Sequence, residues 1–168
     1  ITNFATSDNT VFDCSFEPQS NKVFVIQVPS ERFTDAAGNL GPNLASSAFE
    51  WTYDNVGPTF ATVSLNTVSY PYIATITIAE QVYSADNGST QSFDYNDFNI
   101  QISGGSLTAS EPTNPGDPVF SRSYSSGTTT FTIPFNTNTP PNGTETVTIN
   151  PASSTSIYDA LGNAASDT

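Results

Sequence analysis

Apolar and polar residues alternate at period two along most of this chain, in short runs closed by Gly, Pro, Asn and Asp. Such a pattern sends every second side chain to one face, as in a half-buried strand, and helical spacing is hard to find. Strands are predicted near 10–16, 22–28, 47–53, 59–66, 72–79, 97–103, 119–124, 129–135 and 144–150. Short strands at regular intervals with turn residues between them argue for an all-β sandwich.

The chain also repeats itself. FTDAAGN at 33–39 returns as IYDALGN at 157–163, so Asp35, Ala36, Gly38 and Asn39 reappear 124 positions later as Asp159, Ala160, Gly162 and Asn163. Phe12, Cys14 and Phe16 share one strand face, as do Phe131, Ile133 and Phe135, 119 positions on; Val23 and Val25 have counterparts in Val147 and Ile149. The offset grows where the second copy carries NTNTPPNG, a loop insertion of the kind sandwiches tolerate.

Two domains of one type are therefore expected, over 1–57 and 58–168. Ile1 aligns with Ile102, so the first domain is expected to lack its initial strands; the second stops at SDT without a counterpart of the final strand ASSAFEWTYD. An excised or mature piece of a longer array would look like this, and ITNFATSDNT lacks the basic-then-apolar order of a signal peptide. Alternatively, neighbouring chains supply the missing strands, since an incomplete sandwich exposes edges that invite strand addition. The linker TYDNVGP holds Pro58 and few other positions, which predicts limited bending between the domains.

Charge narrows the partners. Three Lys and Arg against 16 Asp and Glu, with no His, leave a net charge of −13, which repels phosphate backbones and anionic headgroups. Nucleic-acid binding and membrane insertion are not expected. The lone Cys14 excludes a disulfide within the chain and a thiolate metal site; beside Phe12 and Phe16 it reads as a small buried hydrophobe.

PTFATVSLN, TITIAEQV, YNDFNIQISGG and IYDALGN in the second copy, and VPSERFTDAAGN, SAFEWTYD and NVGPTF in the first, resemble the tandem Ig-like repeats of large cell-surface proteins, the bacterial Ig-like domains. Glu80 stands where the family's Glu follows its strand, and Asp97 where its Asp precedes the next one. Such repeats also occur in surface proteins of algae and other protists. The resemblance implies two tandem Ig-like sandwiches in a non-enzymatic, extracellular or cell-surface array: an adhesin stalk, matrix component or fibre. Its partners would be neighbouring copies or adjacent repeats of the same polypeptide.

Two readings stay open for the DAxGN turn. Asp accepts backbone N–H bonds there and Gly supplies a positive φ, which is turn chemistry alone. In the other reading Asp35, Asn39 and Asp54 offer hard oxygen ligands to Ca²⁺, although no dense Asp ladder accompanies them. Asn87-Gly-Ser and Asn142-Gly-Thr are sequons in predicted loops, candidates for glycosylation in a eukaryotic host.

Phe49, Trp51 and Tyr53 form an aromatic row that reads as sandwich core, or as a platform for a glycan in an adhesion or recognition module. Catalysis is not expected. Without His there is no triad base, and only the carboxylates of Glu80, Asp86, Asp94 and Asp97 fall in one stretch.

Overall fold

The computed structural model describes residues 2–7, 11–34, 37–38, 43–66, 70–85, 88, 92–105 and 107–167. The chain divides into two compact units, Ile1–Asn55 and Val56–Thr168. The described residues are nearly all β, in several sheets compatible with an all-β sandwich, and their only helical segment is a single 3-10 turn, Tyr95–Asp97. Among them no helix is long and apolar enough to cross a membrane.

The first unit holds two antiparallel pairs: β1 (Thr2–Thr6) with β2 (Phe12–Ser15), and β3 (Lys22–Ile26) with β4 (Phe49–Tyr53). Register sets Phe24 opposite Trp51 and Ile26 opposite Phe49, so these four and Tyr53 share a face. Beyond the two strands, polar bonds keep the chain together: the Val28 N–H donates to Ser46 Oγ at 2.9 Å, and Asn43 Oδ1 accepts from the N–H groups of Arg32 and Phe33 at 2.8 and 3.0 Å.

Phe16, following β2, meets the aromatic face, its ring 4.8 Å from Phe24 and 6.0 Å from Trp51. The face turned toward Phe16 is therefore that of Phe24 and Ile26, not that of Val23 and Val25 as the repeat suggested. KVFVI is apolar on both faces, so alternation cannot choose between them, and a one-residue slip reverses the assignment.

No residue of this unit whose side chain is described is buried. The expected core row is uncovered, with Phe49 63% and Trp51 39% exposed. Cys14, expected inside, is exposed as well. Four short strands in two pairs offer apolar faces with too little opposing structure to bury them.

The second unit holds a five-stranded sheet. β5 (Phe60–Asn66) pairs with β6 (Tyr72–Ile78). After the 3-10 turn come β7 (Phe98–Ser103), β8 (Ala109–Ser110), β9 (Ser121–Ser125), β10 (Thr128–Thr137) and β11 (Thr146–Pro151). β6 pairs with β10, whose other edge takes β9 along its first half and β8 at its end; β7 and β11 form a separate antiparallel pair.

Alternation in β6 puts Tyr72, Ala74, Ile76 and Ile78 inside, against Phe131, Ile133 and Phe135 of β10. Phe98 and Ile149 reach the same core from the β7–β11 pair, and the Phe98 ring lies 4.9 Å from that of Phe131. Each such side chain contributes roughly 1.5–3 kcal/mol by leaving water. An antiparallel bridge between Tyr83 and Tyr158, with both bonds at 2.8 Å, carries Val82 and Ile157 to the core.

β1 and β9 cover matching ranges 119 positions apart, and each pairs antiparallel with the strand that follows it. Ile102, which the sequence aligned with Ile1, lies in β7. Two polar hairpin strands resemble each other too weakly in sequence to be matched before their pairing is known.

Candidate functional site

The second copy of the DAxGN turn is fully described. Asp159 is only 3% exposed, and its Oδ1 accepts from the N–H groups of Leu161 and Asn163 at 2.7 and 2.9 Å. Its Oδ2 accepts from the Asn163 side-chain amide at 2.7 Å, and Gly162 has φ +87°. Internal donors thus hold both carboxylate oxygens, and the positive φ explains the glycine.

In the first copy Gly38 has the same left-handed sign, φ +81°, while Asp35 and Asn39 lie outside the described residues. Asp54 is described, and its Oδ1 accepts from the Asn21 side-chain amide. Among the described residues no three His, Cys, Asp or Glu side chains come together as a metal site.

Of the two sequons, Asn87 lies outside the described residues and Asn142 is exposed. Asn142 Oδ1 accepts from the Thr144 N–H at 3.0 Å and the Thr144 hydroxyl at 2.7 Å, so the acceptor asparagine and its threonine are locked together. Glu145 closes the same loop by accepting from the N–H of Gly143 at 2.9 Å and that of Asn142. Slight desolvation would raise its carboxyl, but the N–H groups of Asn142, Glu145, Gly143 and Thr144 together hold it below the usual range.

Of the carboxylates near 80–97, those of Asp94 and Asp97 serve the backbone. Asp94 and Asp97 form a reciprocal capping box over the 3-10 turn, with the Asp94 N–H donating to Asp97 Oδ2 at 2.9 Å and the Asn96 N–H to Asp94 Oδ1 at 2.7 Å. Burial raises the Asp97 carboxyl, the Asp94 N–H opposes this, and the Asp94 charge adds to it. The Glu80 carbonyl accepts from the buried Thr129 hydroxyl at 2.7 Å. Asp86 lies outside the described residues.

The remaining feature is a gap between the two sheets of the second unit. Val63 and Leu65 lie opposite Ile76 and Ala74 on the inward face of β5, and both of those partners are fully buried. Val63 and Leu65 are nevertheless 49% and 41% exposed. A cavity of about 260 Å³ lies between Phe60 and Val63 on one side and Ile149 and Pro151 on the other, and one of about 390 Å³ is lined by Leu65 and Val147. Alternation in PTFATVSLN shows which residues share a face; it carries no signal that the opposite layer is open there.

Comparison with protein-family models, with curated proteins and with solved structures finds no match.

Proposed function

We propose that this chain is a non-enzymatic structural repeat segment of a large extracellular or cell-surface protein, two Ig-like units in tandem that work within a rod, fibre or stalk. The observation that carries the reading is that β1 and β9, 119 positions apart, each pair antiparallel with the strand that follows, and a further strand, β3 or β11, comes next in each unit. A chain that writes one sandwich twice spends its length on repetition rather than on a single deep site. Supporting this, two of the four carboxylates weighed for catalysis, Asp94 and Asp97, cap a turn, and the DAxGN turn of the second unit closes on its own donors. Calcium at Asp35, Asn39 and Asp54 and sugar at Asn142 belong to the same proposal as accessory features of a surface protein.

Electron microscopy of the full chain at rising concentration, with a glycan array run in parallel, tests it. Filaments or end-to-end strings with a silent array support the structural role. A chain that remains monomeric at every concentration and binds a defined glycan sinks it. That second outcome would favour recognition, for which the row of Phe49, Trp51 and Tyr53, exposed at its first two residues, is the specific observation.

A further inference from the structure

The two units are unequal in a way that makes each a template for the other. In the first, β3 carries β4 on one edge, antiparallel, with Trp51 opposite Phe24 and Phe49 opposite Ile26. In the second, β11 occupies the position of β3, with Val147 and Ile149 standing for Phe24 and Ile26. Its paired edge is taken by β7, and among the described residues no strand lies on the other edge. That edge offers a place for a strand of the β4 kind.

The surrounding side chains fit that vacancy. A strand beside β11 lies across from β5, and its inward residues would cover Val63 and Leu65, the two inward-facing apolar residues left half exposed. One cavity already described lies between Val63 and Ile149, and the other reaches Leu65 and Val147 from among Tyr72, Ile102 and Phe135. Ser166 lines the first. An exposed strand edge next to an uncovered apolar face is the geometry in which main-chain bonds supply affinity and alternate side chains supply specificity.

We propose that the groove between β5 and β11 is a strand-acceptor site. Its occupant is an extended polypeptide segment of the β4 type, running antiparallel to β11, with one apolar residue opposite Val147 and another opposite Ile149. This deepens the proposed function and rests on it only for the equivalence of the two units.

The test uses the full isotope-labelled chain and a synthetic peptide of residues 45–55, ASSAFEWTYDN. A control peptide carries Ser in place of Phe49, Trp51 and Tyr53. The expected result is saturable one-to-one binding of the first peptide only, with amide exchange of Thr146–Ile149 slowed roughly tenfold or more. Val63→Ser and Leu65→Ser, at exposed positions where the fold should survive, each weaken binding by about tenfold while far-ultraviolet circular dichroism is unchanged.

Absence of saturable binding overturns the proposal, as does equal binding of the control peptide. Slowed exchange at Lys22–Ile26 instead of β11 would mean that the peptide merely displaces β4, and also overturns it. So does a chain that sediments as a dimer with β11 already protected, because a second copy then fills the edge. Microscopy and glycan binding read the broader proposed function without the peptide, so the two can fail separately.

Discussion

The Asn163 side-chain amide donates to Asp159 Oδ2 at 2.7 Å while the Asn163 backbone N–H donates to Asp159 Oδ1 at 2.9 Å. One residue thus holds both oxygens of a buried carboxylate, and the Leu161 N–H completes the set. Asp159→Ala leaves those donors unsatisfied and should cost about 1–3 kcal/mol, read by urea denaturation on signals of the second unit. A chelator should leave the melting of that unit unchanged. A fall in melting temperature on chelation would show that a cation, not the internal donors, stabilises the turn.

Equivalent positions in the two units should respond in opposite ways. Ile133 is fully buried and Cys14, its counterpart in the repeat, is exposed. Ile133→Ala is expected to cost about 2–5 kcal/mol, whereas Cys14→Ser should change stability by less than about 0.5 kcal/mol. The thiol should react with a maleimide in the folded chain at close to the rate of a free peptide. Strong protection of Cys14 would mean that the first unit closes over it in solution.

Acid should loosen the sequon loop. The Glu145 carboxyl is held below its unfolded value by backbone donors, so its contribution is present above the unfolded pKa and is lost as pH falls through the lower, folded one. Amide exchange at Asn142, Gly143 and Thr144 should rise over that acidic window. Glu145→Gln should abolish the pH dependence; a dependence that survives it would assign the effect to another group.

A methyl group added at Gly57 would lie 1.8 Å from the Ala164 carbonyl oxygen, a backbone atom with no side chain to swing aside. Gly57→Ala should therefore destabilise the second unit by about 1–3 kcal/mol through overpacking, measured by thermal unfolding. By contrast, nothing lies within 4 Å of a methyl at Gly116. Its φ of +95° still disfavours a side chain, so Gly116→Ala should show conformational strain alone, about 1 kcal/mol.

Alternation was enough to locate nine strands to within a few residues, because each has at least three residues over which period two can be read. β8 has two residues, Ala109–Ser110, too few to show any period, and is a strand only because β10 pairs with it. β1, TNFAT, has too few apolar residues to alternate and owes its conformation to its pairing with β2. The DAxGN turn and the exposed sequon were likewise legible, since both depend on neighbours a few residues away.

What lies across from a face is a different kind of information. Phe131, Ile133 and Phe135 alternate as Phe12, Cys14 and Phe16 do, yet the first three are buried and none of the second three is. The difference comes from the β7–β11 pair, which packs across β10, and β6, which pairs beside it; in the first unit the described residues set only the β3–β4 face against Phe16. Local pattern decides which side chains point the same way, because backbone geometry repeats every two residues. Burial depends on the opposite layer, so only the tertiary structure could show that Val63 and Leu65 line an open groove beside β11.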